Sequence, residues 1–338
     1  MYPNENPEPL EAAAAEGVHR IALPTPFMVG RINTYLIQDD PLTLIDTGPN
    51  SGKALDELEQ GLGHLGHAIE DIGLVVLTHQ HMDHVGLAEV TVRRSGAEVA
   101  ALAALAPYME HFANSFDLDN RFAARLMRRH GVADEVVSVL QALGTAMRAW
   151  GSNAHVTQPL ADGATLRLRD RTFEIHHRPG HSPSDTVLHD PQRRMLFAGD
   201  HLLRHVSSNP LITRPLDAGD SQDAPRPQAL KAYLNSLRAT REMDLDLVLG
   251  GHGETITDQV AVIDERFQLQ ERRTRKILKL IAQRPCTAYE LACELWGAAA
   301  LSQAYLTISE VLGALDLLVD DGRAQEVEQD GLAHFEAL

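Results

Sequence analysis

The spacing of apolar positions changes several times along the chain, and each change marks an element. Short apolar runs at 19–23, 33–37 and 42–45, separated by turn residues, predict three strands. Leu55, Leu58, Leu62 and Leu65 then fall at helical spacing within 52–67. Residues 74–77 are apolar throughout, as in a buried strand. Strand patterns return at 165–168, 173–176, 186–189, 195–198 and 245–249, with a helix over 228–241 before the last. Strands alternating with helices predict an α/β fold of sheets covered by helices.

Two stretches break this rhythm. Residues 103–150 are rich in Ala, Leu and Met, with Pro107 and Gly131 as punctuation, and predict two or three inserted helices. Residues 206–227 hold Pro210, Pro215, Gly219, Pro225 and Pro227 and predict a long loop. A loop of that length in a compact domain is usually functional or disordered. The acidic, Pro-rich residues 1–17 read as a flexible lead-in. The organisation expected is a catalytic domain over 18–254 containing the 103–150 insertion, a connecting helix over 255–273, and a small unit over 274–338. In that unit Ile277 and Ile281, Leu291 and Leu295, and Val311 and Leu315 mark three helices, the second opened by Thr287 as N-cap. Asp321-Gly322 and Asp330-Gly331 add a hairpin, and the whole is a winged-helix-like pattern.

Of 338 residues, 44% are hydrophobic and 23% charged, which suits a globular chain rather than a disordered one. Thirty basic against 47 acidic residues give a formal charge of −17, which opposes nucleic acid and anionic membranes as partners. The N-terminus lacks the basic and apolar regions of a signal peptide, and no run of 18 apolar residues suggests a transmembrane helix. The default location is the cytoplasm. Cys286 and Cys293 lie seven apart in a stretch that reads as helical, so both are expected to face one way as buried thiols. Without a CxxC pair, a cysteine zinc site is not expected.

The chemistry concentrates in Thr78-His79-Gln80-His81-Met82-Asp83-His84, directly after a buried strand. Four metal-capable side chains fall within six residues, and imidazole with carboxylate suits zinc and related first-row metals. His79 and His81, two apart in an extended segment, project to one side. Asp83 and His84 lie past the bend. Three further candidates each end an apolar strand at a Gly-containing turn: His181 in Pro179-Gly180-His181-Ser182, Asp200 in Gly199-Asp200, and His252 in Gly251-His252-Gly253.

In this order the motifs resemble those of the metallo-β-lactamase superfamily, T-H-x-H-x-D-H, P-G-H-[ST], G-D and G-H-G, over residues 78–253. Asp46-Thr47-Gly48 matches a further family motif. The resemblance implies an αββα sandwich with two divalent metal ions, zinc first and iron or manganese as alternatives. It implies that His79, His81 and His181 hold one ion and that Asp83, His84 and His252 hold the other. Asp200 would bridge them, and Asp46 would orient the ligand loop by hydrogen bonds. A carboxylate rather than Cys at the bridging position resembles the branch with glyoxalase II, lactonases and processing nucleases. The tail pattern resembles the beta-lactamase-like protein 2 group.

Two neighbouring cations lower the pKa of a water between them, and the resulting hydroxide attacks a thioester, ester or lactone carbonyl. Asp83 and Asp200 are the catalytic carboxylates on this reading, and Asp83 could also accept a proton. His201, next to Asp200, is expected to support the metal ligands. His205, Asn209 and Arg214 on the long loop are candidate substrate contacts. So are Arg121 and Arg125 of the insertion, as anion holders, while Phe112, Phe116, Phe122 and Leu126 suit an acyl chain. The alternative reading is a metal-dependent single-strand endoribonuclease. Residues 303–319 lack any Lys or Arg, and 271–338 carry 7 basic against 11 acidic residues, so the tail is not expected to bind DNA. It is read as a packing or dimerisation module, which leaves a homo-oligomer open.

Overall fold

The computed structural model describes residues 5–218 and 226–338, so Gly219 and Pro225 of the proline-rich loop lie outside the described residues. The chain opens with α1 (Glu8–Ala15), β1 (Val18–Leu23), β2 (Ile32–Ile37) and β3 (Thr43–Ile45). Next come α2 (Gly52–His64), β4 (Leu74–Val76), α3 (Met82–Val85), α4 (Ala88–Ser95) and β5 (Glu98–Leu102). The insertion forms α5 (Ala106–Glu110), α6 (Phe112–Arg129) and α7 (Asp134–Met147). With β6 (Gln158–Leu160) the first sheet is complete, in the order β1-β2-β3-β4-β5-β6. It is antiparallel through β3 and parallel from β3 to β6.

A second sheet contains β7 (Thr165–Arg167), β8 (Thr172–His177), β9 (Thr186–Asp190), β10 (Met195–Gly199) and, after α8 (Ala229–Arg241), β11 (Leu247–Gly250). Its order is β11-β10-β9-β8-β7, with β10 and β11 parallel and the other pairs antiparallel, so β8, β10 and β11 run the same way. The C-terminal elements are α9 (Gln259–Ile281), β12 (Cys286–Thr287), α10 (Ala288–Trp296), α11 (Ala299–Ser302), α12 (Ala304–Asp320), β13 (Ala324–Gln329) and β14 (Leu332–Ala337). The last two strands form a hairpin to which β12 adds.

Why the sheets stack follows from strand alternation. Tyr35, Ile37 and Ile45 of the first sheet meet Phe173, Ile175, Leu188 and Phe197 of the second in one core. Phe197 packs edge-on against both Tyr35 and Phe173, at 5.6 and 5.7 Å between ring centres. Their neighbours Leu36 and Leu44 point outward, against Leu58 and Leu62 of α2. On the far side Val187 and Leu196 pack beneath Leu230, Tyr233 and Leu237 of α8 and Val262 of α9. The layers are therefore helix, sheet, sheet, helix. With both faces of each sheet covered, central strands read as continuous apolar runs.

Several elements differ from the expectation. Residues expected as a flexible lead-in form α1, with Ala13 buried and Glu5 paired to Arg20 at 2.6 Å. Pro9 sits in its first turn, where a missing N–H costs nothing, and the Ala run propagates the helix. β5 and β6 escaped the pattern because Ala100 and Ala101 carry little apolar bulk and Pro159 disguises an edge strand. α9 runs unbroken across residue 274, where the tail unit was expected to begin. Cys286 lies in the short strand β12 and Cys293 is exposed on α10, so the thiols are not a buried pair. Phe122, Leu126 and Met127 of α6 share one core with Ile277, Leu291, Val311, Leu315 and Phe335.

Candidate metal centre

Four strand ends converge. β4, from the first sheet, runs into the segment 78–84, in which His81 is the residue before α3. β8, β10 and β11 of the second sheet end just before His181, Asp200 and His252. A bridge between Ile32 and His252 joins the two sheets there. All seven candidate ligands come together. Three overlapping groups each bring one ligand atom per residue within 4.8 Å: His79, His81 and His181; Asp83, His84 and His252; and His79, His84 and Asp200.

His81 turns its Nδ1 to within 3.0 Å of His79 Nε2 and 2.9 Å of His181 Nε2. That is close to the ~3.3 Å between nitrogens that share one tetrahedral ion at about 2.0–2.1 Å. Asp200 touches both trios: Oδ1 lies 3.4 Å from His84 Nε2, and Oδ2 lies 3.6 Å from both His181 Nε2 and His252 Nε2. His252 Nε2 is also 3.2 Å from Asp83 Oδ2. His84 Nε2 and Asp200 Oδ1 are buried with no hydrogen-bond partner among the described residues, so donor atoms of suitable chemistry point into the space between the trios. These residues fit divalent cations of the zinc class.

The far nitrogens of the rings are held from behind. Asp46 is buried in a left-handed conformation with φ 56°. Its carboxylate accepts from the Thr78 amide at 2.9 Å and hydroxyl at 2.8 Å, and from His84 Nδ1 at 2.7 Å. His181 Nδ1 lies 3.1 Å from the carbonyl of Asn209, and His252 Nδ1 lies 2.9 Å from that of Arg31. Such contacts fix which ring nitrogen faces the centre. The His181 turn is itself tied down by Asp185, which accepts from the Ser182 amide and hydroxyl at 2.8 and 2.6 Å. Gly251 is needed for space, because a Cβ there would collide with Asp200 Oδ1 and the His84 ring.

Charge is organised to match. Burial, with the neighbouring His84 and His81, holds His79 well below the ordinary imidazole range. At His84 burial opposes protonation, but Asp200 and Asp46 outweigh it and raise the pKa well above the usual value. Asp200 is likewise buried, yet His252, His84 and His181 keep its carboxyl far below the usual carboxylate range.

The other candidates are placed less centrally. His201 turns away, with Nε2 2.8 Å from Thr240 Oγ1 on α8 and its ring edge-on to Tyr233. Its pKa is pushed down to about 3 by burial and by the neighbouring Arg178 and His181. His205 is exposed and lies 2.9 Å from Glu254. Arg214 is buried against Asp119 of α6 at 3.1 Å, so its guanidinium is engaged in an ion pair within the fold. Arg121 is exposed and Arg125 half-buried on α6. Phe112, Phe122 and Leu126, expected as an acyl wall, are core residues, and Phe116 packs partly buried against that core. Thr78 and the carbonyls of Arg31 and Asn209 went unread as supports; only Thr78 has a signal, its fixed place in the T-H-x-H motif.

A family model for the metallo-beta-lactamase superfamily matches residues 28–252. The chain belongs to the metallo-beta-lactamase superfamily. Over 324 residues it is 35% identical to the Bacillus subtilis (strain 168) protein named "Probable metallo-hydrolase YqjP", covering 96% of this chain and 98% of that one. It is 28% identical over 183 residues to the human acyl-coenzyme A thioesterase MBLAC2, covering 50% of this chain and 58% of that one. A metallo-beta-lactamase family protein of Thermus thermophilus superposes with a TM-score of 0.79 at 24% identity, over 95% of this chain and 99% of that one. With these relatives the superfamily member is a metal-dependent hydrolase. No helix among the described residues is long and apolar enough to cross a membrane.

Proposed function

We propose that the chain hydrolyses thioesters or related carboxylic esters at a centre for two divalent cations. The observation that carries this reading is Asp200, whose two carboxylate oxygens reach both ligand trios at once. In the proposed assignment His79, His81 and His181 form one site, Asp83, His84 and His252 the other, and Asp200 spans both. Two such ions, when bound, supply Lewis acidity and a water that ionises near neutral pH.

The chain's own residues supply orientation and proton acceptance. Asp46 and the carbonyls of Arg31 and Asn209 hold three imidazoles by their outer nitrogens. Burial opposes ionisation of Asp83, but its hydrogen bond to His252 helps hold the carboxyl below the usual range, so it is ionised and can accept a proton. In the overall reaction water adds its oxygen to the acyl carbon, the carbon–sulfur or carbon–oxygen bond breaks, and the leaving group departs with a proton. The acyl class rests on the thioesterase name of a relative and on the charge of −17, which repels a polyanion at long range.

Two exposed apolar side chains, on segments near those that support the ligand rings, suit an acyl chain. Met28 is 92% exposed beside Gln303, and Leu306 is 37% exposed, its carbonyl bonded to the same Asn209 that supports His181. Arg121 and Arg125 remain candidates for an anionic tail. A panel of thioesters, esters and lactones against a labelled RNA oligonucleotide tests the reading, with Asp200→Ala as the control. Turnover of an acyl substrate by wild type, lost at least ~10²-fold in Asp200→Ala with the fold retained, is expected. RNA cleavage that vanishes in the control, with no acyl turnover, would make the protein a nuclease instead.

A further inference from the structure

A second gathering of imidazoles and carboxylate lies elsewhere on the molecule. Glu174 and His176 stand two apart on β8 and so share a face. Glu174 is directly opposite His189 of β9 in the strand register. The alternating neighbours Phe173, Ile175 and Leu188 fill the core between the sheets, which puts the trio on the opposite, outer face. One ligand atom from each of the three lies within 4.8 Å of the others. His189 Nδ1 is 3.3 Å and His176 Nε2 3.6 Å from Glu174 Oε2, and the two rings are 6.2 Å apart. The Nε2 atoms of both histidines are buried and have no hydrogen-bond partner among the described residues.

Buried polar atoms without partners call for a physical account. His130 and His201 each carry one too, but among the described residues neither belongs to a cluster of ligand-type side chains. Here two such histidines face one carboxylate, His176 through its unpartnered Nε2 at 3.6 Å and His189 through Nδ1 at 3.3 Å. We propose that Glu174, His176 and His189 form a further metal site, separate from the seven-residue centre, for a first-row divalent cation such as Zn2+ or Cu2+. Two imidazoles select such ions over Mg2+ or Ca2+, which prefer all-oxygen shells. Three protein ligands leave a coordination position for water, and Glu174, with its side chain 48% exposed, opens the path to solvent.

The local charges are compatible. Burial, together with Arg178, holds His176 below the usual imidazole range, so it is in its neutral, ligand-competent form at pH 7. Arg178 opposes a nearby dication, but Asp162 stands 3.9 Å from its guanidinium and offsets that charge. An ion here ties β8 to β9 across the sheet, on the strand that leads into the His181 turn.

The test uses the full chain, stripped of metal and titrated with ZnCl2 in equilibrium dialysis. Wild type is expected to bind one equivalent more than the His176→Gln/His189→Gln double variant, which keeps the rest. Cu2+ titrated into the metal-free protein should likewise give one equivalent more of nitrogen-coupled electron paramagnetic resonance signal in wild type than in the double variant. Equal stoichiometry in both proteins, for Zn2+ and for the nitrogen-coupled Cu2+ signal alike, overturns the site. If the double variant misfolds, the half-exposed Glu174→Gln decides: the extra equivalent should weaken about tenfold or more, and unchanged affinity is the contrary result. Because the comparison is the difference between two proteins, it stands whether or not the main centre hydrolyses acyl substrates.

Discussion

Asp46 shows how much one side chain can organise. It sits at the end of β3 with positive φ, a conformation Asp and Asn tolerate better than most residues. From there one carboxylate receives two hydrogen bonds from Thr78 and one from His84. Asp46→Asn keeps the backbone preference and can still accept from Thr78, but its amide cannot match both oxygens to donors. Metal affinity is expected to fall ~10–100-fold, the usual effect of losing a partner behind a ligand, while the melting temperature moves little. Asp46→Ala adds the strain of positive φ and buried unpaired donors, at about 2–3 kcal/mol of stability. Metal competition assays and thermal melts of both variants check this, and unchanged metal affinity in Asp46→Asn would remove Asp46 from the supporting set. At this scale the sequence was legible for most side chains that do the work, as with Asp46 and the seven candidate ligands, although the Thr78 hydroxyl went unread. It was silent where backbone does it: the carbonyls of Arg31 and Asn209 leave no trace in residue identity.

Elements were legible when their apolar period was strong. β2, buried throughout, and the wholly apolar β4 were foreseen to within a residue or so, whereas β5, with Ala100 and Ala101 at its centre, reads equally well as helix or strand. Contacts between elements were the least legible part. Arg214 on the long loop reads as a free cation near the mouth; in the fold it is clamped to Asp119 of α6 at 3.1 Å. Burial pushes the Asp119 pKa up to about 6, although Arg214 and Tyr108 pull it the other way. Removing Arg214 leaves a buried carboxylate without its counter-charge and raises that pKa further. Arg214→Met should therefore cost about 3 kcal/mol at pH 8, by the usual penalty for breaking a buried pair from one side. The sign with pH follows. The variant's native state binds more protons than wild type between pH 6 and its own higher pKa, so its deficit grows as pH rises through that window and shrinks as pH falls toward 5. Denaturant melts of both proteins at pH 5 and 8 measure it; a deficit independent of pH would mean that Asp119 is not the group left behind.

Over the whole molecule, the C-terminal elements behave as part of one packed body. α12 buries Ile308, Val311, Leu312, Leu315 and Leu318, and a Cβ on Gly313 would lie 2.5 Å from the Leu230 Cβ of α8. Arg226 grips Asp316 with two hydrogen bonds at 2.7 and 2.5 Å, Lys231 reaches Asp320 at 2.5 Å, and Arg129 of α6 reaches Glu326 at 2.7 Å. This helix, without Lys or Arg over 303–319, spends its apolar face on the rest of the fold. The same contacts extend to the metal centre: the Leu306 carbonyl accepts from the Asn209 side chain, and the Asn209 carbonyl lies against His181. Ending the chain after Ile281 would strip Phe122, Leu126, Met127 and Ile277 of their cover and release that clamp at once. Apolar surface exposed on that scale drives self-association. The shortened protein is accordingly expected to aggregate or melt well below the full chain, and any soluble fraction to hold metal more weakly. Asn209→Ala in the full chain separates the two effects, since it should weaken metal retention without opening the core. A truncated chain that stays monomeric, with unchanged melting temperature and metal content, would show instead that the tail is only an appendage.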